Sequence, residues 1–154
     1  MEECKLATIN DINEILELCE LVKKTFPLWN SQYPSVDNFI EDLNSNSLFI
    51  YTVDGKIVSV IGAEDSEFDN EALSLHMFMT HPDYRKKGYG RKVFVKAEEE
   101  LFKRVNTIDL LVRNDHPFSL KLYEKWGYEN KGKVEVPWEV EKDKFYIYLK
   151  KSIK

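Results

Sequence analysis

Residues 75–103 constrain the fold of this chain more than any other stretch. The apolar run over 75–80 predicts a buried strand, and the turn His81-Pro82-Asp83 follows it. Beyond a glycine-containing loop, apolar residues recur at the spacing of a helix with one buried face. Those positions are Phe94, Ala97, Leu101 and Val105. The chain must therefore fold so that a strand passes through a glycine loop directly into a helix.

The loop itself is basic and carries two closely spaced glycines. It reads Arg85-Lys86-Lys87-Gly88-Tyr89-Gly90, and residues 85–92 hold five Lys or Arg and no acid. The first N–H groups of a helix lack internal partners, and the helix dipole favours negative charge there. Glycine also lets a ligand approach the main chain closely. The stretch predicts a cradle for a pyrophosphate, and the alternative is a solvated basic helix start. It matches neither the P-loop pattern nor the dinucleotide fingerprint.

Composition limits the remaining choices. The chain has 154 residues and a formal net charge of −5, which argues against general nucleic-acid binding. No apolar run approaches the roughly 20 residues of a membrane span, and the start does not resemble a signal peptide. Two cysteines without a C-x-x-C pattern and three isolated histidines suggest neither a disulfide framework nor a metal site. We expect one cytoplasmic domain over 1–154 without metal, nucleic-acid or membrane partners, and a homodimer is left open.

Periodicity along the chain predicts a mixed α/β fold in the order β-α-α-β-β-β-α-β-α-β-β. The predicted strands cover 3–8, 47–53, 57–63, 75–80, 107–113, 128–136 and 144–150. The boundary signals are a capping box at Asp11 and Glu14, a helix end at Pro27, a helix cap at Ser35, a hairpin turn at Asp54-Gly55 and a helix stop at Gly127. The two strands flanking the glycine-loop helix should be parallel, whereas hairpins are antiparallel, so we expect a mixed sheet.

Two motifs resemble those of one known family. Arg-x-x-Gly-x-Gly between a strand and a helix resembles motif A of the GNAT superfamily of N-acetyltransferases, which binds the pyrophosphate of acetyl-coenzyme A. Residues 112–129 resemble its motif B, typically Asn-x-x-Ala-x-x-Leu-Tyr-x-x-x-Gly-Phe. Leu122-Tyr123 and Gly127 match, Ser119 replaces Ala, and Tyr128 replaces Phe. The element order also matches the family fold, so the resemblance covers the whole chain.

The resemblance implies an enzyme that uses acetyl-coenzyme A to acetylate the amine of a small molecule or a peptide. The residues implied in holding the coenzyme are Phe78, Met79, Thr80, Arg85, Lys86, Lys87, Gly88, Tyr89, Gly90, Arg91 and Tyr123. In this family the backbone of strand four pairs with pantetheine and donates an N–H to the carbonyl oxygen. By resemblance, Tyr123 protonates the departing thiolate, although it also fits a core position. The family Asn falls on His116, while Asn114 lies two residues earlier, and both stay candidates for the pantetheine contact.

The base that deprotonates the amine is left open by the sequence. An ammonium has no lone pair, so it must lose a proton before attack. Some family members place a Glu on strand four, where this chain has Ser74. His76 on that strand and Glu64 at the end of the third strand are candidate catalytic residues, with Glu71 nearby in a loop. A structural, hydrogen-bonded His76 is the competing interpretation.

The sequence also does not identify the amine that accepts the acetyl group. In this family the loop after the first helix and the C-terminal hairpin select the substrate, and here they contain Trp29, Tyr33 and Trp138. Such aromatics, beside acids of the hairpin, suit a cationic amine, although plain loop packing explains them equally. Ser74 and His116 depart from the family pattern, so a second function is left open, that of a non-catalytic acyl-coenzyme A sensor. A third is a basic surface that docks an acidic protein partner.

Overall fold

A computed structural model describes residues 1–25 and 32–153, and of residues 117 and 118 it describes the backbone alone. Its elements are β1 (Glu2–Leu6), α1 (Ile12–Lys23), α2 (Val36–Asn44), β2 (Leu48–Val53), β3 (Lys56–Asp65), β4 (Ala72–Thr80), α3 (Tyr89–Leu101), β5 (Thr107–Arg113), α4 (Pro117–Lys125), β6 (Glu129–Val134) and β7 (Tyr146–Ser152). The predicted element order is confirmed. The chain divides into two units, Met1–Glu64 with Leu75–Leu101 and Asp65–Ser74 with Phe102–Lys154.

The sheet of the first unit follows the order β1-β2-β3-β4. β2 pairs antiparallel with both β1 and β3. Asp54 and Gly55 join β2 to β3 with φ angles of +51° and +83°. Two successive left-handed residues favour the tight turn whose twist matches that of the flanking strands. The predicted hairpin at Asp54-Gly55 is confirmed.

Helices α1 and α2 bury their apolar faces in the core of the first unit. The buried members of this core are Ile12, Ile15, Leu18, Cys19, Val22, Phe39, Leu48, Ile50, Ile57, Val60, Met77 and Met79. Ser35 begins α2 as predicted, because its hydroxyl accepts from the Asn38 N–H at 3.4 Å and its own N–H donates to Asn38 Oδ1 at 2.8 Å. On α3, the predicted positions Phe94, Ala97 and Leu101 are buried, but the helix ends before Val105.

The predicted capping box at Asp11 and Glu14 is wrong. The box begins three residues earlier, at Thr8, whose N–H donates to Asp11 Oδ2 at 2.8 Å. A short 3₁₀ turn therefore precedes α1, and Thr8 belongs to this turn instead of to β1. Glu14 has a different partner, because its carboxylate accepts the Ile57 N–H at 2.7 Å. Local sequence could not reveal that bond, since Ile57 lies on another element.

The second unit contains the parallel strand pair expected around the glycine-loop helix. Residues 72–74 of β4 pair with residues 107–109 of β5 in parallel. β7 then lies between β5 and β6 and is antiparallel to both. The predicted helix stop at Gly127 is confirmed by its φ of +100°. With one parallel pair among antiparallel ones, the predicted mixed α/β sheet is confirmed.

Asp109 on β5 is a buried polar anchor of the second unit. Its Oδ2 accepts hydrogen bonds from the Ser66 hydroxyl and from the Tyr148 hydroxyl, the latter at 2.6 Å. These bonds join β5 to the connection at 66–71 and to β7. Within the described ranges, no helix has the length and apolarity needed to cross a membrane.

Candidate functional site

The glycine loop of the first unit is held by its first residue. Arg85 donates from Nε to the Thr80 carbonyl at 3.3 Å and from Nη2 to Thr25 Oγ1 at 3.2 Å. The loop then passes through two left-handed residues, Lys86 at φ +65° and Gly88 at φ +85°. Alternation between left- and right-handed backbone turns successive N–H groups toward one side, which forms a concave site for anions.

The two glycines serve this loop in different ways. Among residues 1–25 and 32–153, no heavy atom lies within 4 Å of a Cβ placed on Gly88, so its left-handed φ is the feature that favours glycine there. A Cβ on Gly90 would lie 3.0 Å from Thr80 Oγ1 and 3.2 Å from the Phe78 ring. Gly90 therefore lets the first turn of α3 lie directly against the end of β4.

The start of α3 has the electrostatics of an anion site. The Lys92 N–H donates to the Gly88 carbonyl at 3.1 Å, which makes Gly88 the residue that precedes the helix. The N–H groups of residues 89–91 consequently have no acceptor within the helix. Lys87 lies with its ammonium 5.7 Å from the centre of the Tyr84 ring. Backbone donors and nearby cations together suit a phosphate group.

β4 places its predicted residues beside this loop. The Met79 carbonyl accepts from Ser59 Oγ at 2.9 Å, and the hydroxyls of Ser59 and Thr80 lie 3.0 Å apart. Phe78 packs its ring 5.5 Å from that of Phe94 on α3. Met77, which is buried, has a left-handed φ of +52°, a conformation that costs about 1–3 kcal/mol for a residue with a side chain. The strand backbone is therefore irregular immediately before Phe78.

Both candidate bases, His76 and Glu64, belong to one cluster in the first unit. His76 Nε2 lies 2.6 Å from Asp42 Oδ2, and its Nδ1 lies 3.1 Å from Glu64 Oε2. The Tyr33 hydroxyl lies 3.4 Å from the same Nδ1. Burial alone would lower the pKa of His76, but the hydrogen bonds to Asp42 and Glu64 outweigh it and raise the pKa to about 9. Burial raises the pKa of Asp42, which the bond to His76 opposes.

Asp42 is the member of this cluster that the sequence did not reveal. It lies on α2 among apolar residues and is only 3% exposed. Its carboxylate occupies space left free by Gly62 on β3, because a Cβ there would lie 2.1 Å from Asp42 Oδ2. The available signal was an acid next to Leu43 on the apolar face of a helix, since an acid in that position requires a buried partner.

The other strand-four and loop positions show no such cluster. Ser74 on β4 is in register with Asp109 of β5. Glu71 lies in an exposed turn, and its N–H donates to Asp69 Oδ1 at 2.9 Å. In the part of the chain that the structure describes, no group of three or more His, Cys, Asp or Glu side chains is arranged to hold a metal ion.

Tyr123 lies on α4 in the second unit, among aromatic rings. Its ring centre is 5.7 Å from that of Trp126 and 6.4 Å from that of Tyr128, both edge-on. Burial raises the pKa of Tyr123, so the phenol keeps its proton at neutral pH. A protonated phenol is the form that a general acid requires.

Asn114 and His116, the two candidates for the pantetheine contact, lie before α4. The Asn114 amide bonds to main chain at both ends: Oδ1 accepts from the Phe145 N–H at 2.9 Å, and Nδ2 donates to the Asp143 carbonyl at 3.3 Å. Asn114 thus holds residues 143–145, which lead into β7, through two side-chain hydrogen bonds. His116 is the residue that precedes the first turn of α4.

The predicted acceptor residues fall in three places. Trp29 lies outside the described residues. Tyr33 joins the His76 cluster of the first unit. Trp138, in the second unit, is 45% exposed and packs edge-on against Tyr146 with ring centres 5.5 Å apart. It lines a groove of about 290 Å³ together with Val134 and Lys144.

Comparison with known proteins adds to this geometry. The family model described as the acetyltransferase (GNAT) family matches residues 15–128. S-(2-succino)cysteine N-acetyltransferase of Bacillus subtilis is 23% identical, over 97% of this chain and 95% of that protein. S-alkylcysteine N-acetyltransferase of the same organism is 25% identical, over 90% and 82%. The protein yncA of Salmonella typhimurium, solved with its cofactor acetyl-CoA, superposes with a TM-score of 0.79 at 16% identity, over 99% of this chain and 94% of that protein.

Proposed function

The chain belongs to the GNAT acetyltransferase family, and on that premise we propose that it transfers the acetyl group of acetyl-coenzyme A to a primary amine. The amine belongs to a small molecule or a peptide and attacks the thioester directly in a ternary complex. The observation that carries the proposal is the loop at 85–90, where Gly88 is left-handed and Gly90 packs on Thr80. This arrangement presents the start of α3 as a site for the coenzyme pyrophosphate.

The reaction makes three demands on the protein. The carbonyl oxygen gains negative charge and needs a fixed N–H donor, a role we assign to the β4 backbone at Phe78–Thr80. The departing thiolate needs a proton, which we assign to Tyr123 because it matches the tyrosine of the family motif and its phenol carries a proton at neutral pH. The attacking amine must first lose a proton, and His76 and Glu64 are the candidates for receiving it.

The relatives narrow the choice of acceptor to test. Two Bacillus subtilis relatives are named for S-substituted cysteines, which are small amino acids with one α-amino group. We propose the same class for this chain, with peptide N-termini as the second class. The net charge of −5, with its positive charge concentrated in the loop, argues against an anionic polymer such as nucleic acid as the acceptor.

A specific observation favours a second candidate function, an acyl-coenzyme A sensor without catalysis. This chain has Ser74 where some relatives have a Glu, and the Asn114 amide is already bonded to the main chain of residues 143 and 145. A protein that kept the loop but lost these groups would bind the coenzyme and acetylate nothing.

Two measurements decide between these functions. Calorimetric titration with acetyl-coenzyme A tests the binding site, and release of free coenzyme thiol tests transfer across a panel of acceptors. The panel contains S-alkylcysteines, S-(2-succino)cysteine, unmodified amino acids, polyamines, aminoglycosides and short peptides. We expect coenzyme binding and amine-dependent thiol release. Binding without release for any amine would support the sensor, and absence of binding would refute both functions.

A further inference from the structure

Three charged side chains from three elements of the first unit meet around one imidazole. Asp42 comes from α2, Glu64 from the end of β3 and His76 from β4. Each ring nitrogen of His76 faces a carboxylate oxygen, at 2.6 Å and 3.1 Å. With Asp42 and Glu64 ionised, each carboxylate accepts a hydrogen bond, so both nitrogens donate and the ring carries two protons. The cluster therefore contains an imidazolium between two carboxylates.

We propose that Glu64 is the group that takes the proton from the substrate ammonium, and that Asp42 and His76 are positioning residues that hold Glu64 for this role. The proposal rests on the proposed function. Glu64 Oε2 is anchored by His76, while 49% of the side chain stays exposed. One end of the carboxylate is thus fixed, and the side chain as a whole is open to a ligand.

The arrangement excludes the alternative candidate base. A general base needs a lone pair, and His76 has none while both of its nitrogens donate. The charged groups around it are acidic: Asp42 and Glu64 bond to it, and Glu41 lies beside Asp42. The Tyr33 hydroxyl is a neutral neighbour. These groups favour the charged ring well above neutral pH. We therefore expect His76 to be protonated during catalysis, and a protonated ring cannot accept a proton from the amine.

The charge of the cluster suits the ammonium group of a substrate. Two carboxylates and one imidazolium sum to −1, and Glu64 is the exposed member. An approaching ammonium is attracted to this carboxylate and gives it one proton. The nitrogen then bonds to the thioester carbon as the C–S bond breaks, and it releases a second proton. The thiolate takes up one proton, so that one proton in total returns to solvent.

Gly62 provides independent support that the fold is built around Asp42. A Cβ at this position would overlap Asp42 Oδ2 and lie 3.2 Å from Met77 Cε. Gly62 has no left-handed φ, so its backbone angles do not explain the absence of a side chain. The missing side chain makes room for the carboxylate beneath α2. A histidine that merely filled space would not require this recess.

The first test compares Glu64→Gln with Asp65→Asn, which removes the same charge from the next residue of β3. At pH 7 we expect Glu64→Gln to lower kcat by about 10²-fold or more, the usual contribution of a positioned base. Coenzyme affinity should not change. The rate of Glu64→Gln should rise about tenfold per pH unit up to the pKa of the free amine, about 8 for an α-amino group, because only neutral amine then reacts. Asp65→Asn should match the wild type.

The second test measures the protonation state of the two His76 ring nitrogens by nitrogen NMR across pH 5–10. We expect two protonated nitrogens in the wild type up to about pH 8. Asp42→Asn should move this titration to lower pH and reduce kcat without changing coenzyme affinity. Glu41→Gln, one residue away on the exposed side of α2, should shift the titration far less than Asp42→Asn, because Glu41 acts on the cluster only through space, and should leave kcat unchanged. A purely structural Asp42 would affect stability but not the pH dependence of the rate.

The outcomes separate this inference from the proposed function. If the wild type releases no thiol with any amine, the proposed function fails and the role of Glu64 fails with it. If the wild type is active and Glu64→Gln is equally active at pH 7, only the inference is overturned. A neutral His76 ring at pH 7 in the wild type also overturns it, whatever the activity. Asp42→Asn is not needed for these decisions, so its folding does not limit them.

Discussion

Replacing Gly62 by Ala should destabilise the protein far more than a single methyl group suggests. The new Cβ would lie 2.1 Å from Asp42 Oδ2, so the buried carboxylate must move and its 2.6 Å bond to His76 must break. Overpacking a core costs about 1–3 kcal/mol, and separating a buried ion pair costs about 3–5 kcal/mol. Because α2 can shift partly, we expect a loss of about 3 kcal/mol in the free energy of unfolding. For a chain of this size that corresponds to a Tm lower by about 6–12 °C.

The assay is urea unfolding of four proteins: wild type, Gly62→Ala, Asp42→Ala and the double variant. Asp42→Ala alone should also cost about 3 kcal/mol, because it leaves the His76 imidazolium short of a partner. With Asp42 gone, the new Cβ meets only the end of the flexible Met77 side chain, at 3.2 Å, and Gly62→Ala should cost less than about 0.5 kcal/mol. The coupling between the two sites is then about 3 kcal/mol, at the top of the range for residues in contact. An equal cost of Gly62→Ala in both backgrounds, or a Tm within one degree of wild type, would refute the reasoning.

Three further predictions concern the loop, the acid and pH. Gly88→Ala should weaken acetyl-coenzyme A binding in a calorimetric titration, whereas Gly132→Ala, which has a similar left-handed φ and equally open surroundings, should cost similar stability and leave binding intact. Tyr123→Phe should lower kcat by about 10²-fold in steady-state kinetics while coenzyme affinity and Tm change little; an unfolded variant would mark Tyr123 as a core residue. His76, whose folded pKa is about 9, should contribute about 3 kcal/mol below its unfolded pKa of about 6.5 and lose it as the pH rises through 9. Urea unfolding at pH 6, 7.5 and 9 should show this fall, and Asp42→Asn should flatten it.

The fold was largely predictable because its signals are local. The strand before the glycine loop, the α3 face and the Asp54-Gly55 turn each follow from residues that are neighbours in sequence. Periodicity and turn chemistry act over a few residues, so they can be read without tertiary information. The errors lie at boundaries. Glu14 was assigned to its own helix start, yet its carboxylate accepts a bond from Ile57, about 40 residues further along the chain.

The candidate site was only partly predictable for the same reason. The loop at 85–90 is a contiguous segment, so all of its residues can be recognised from the sequence. The His76 cluster is assembled from α2, β3 and β4, and no spacing links Asp42 to Glu64 or His76. Sequence could suggest His76 and Glu64 separately, but it could not show that Asp42 accepts a hydrogen bond from His76 and so favours the protonated ring. The role of Gly62 is evident only from the structure, in which the Asp42 carboxylate occupies the space that a side chain at Gly62 would need.

The side chain of Arg85 has a consequence for the kinetics of coenzyme capture. Its guanidinium is bonded to Thr80 and Thr25, which belong to the protein's own framework, so the loop that follows is tied down at its first residue. A loop whose shape is fixed in advance loses little conformational entropy when a ligand arrives. Coenzyme association then proceeds in a single step at a rate set by encounter and orientation. Mixing experiments should show one exponential phase whose rate grows linearly with coenzyme concentration, without a slow isomerisation of the loop.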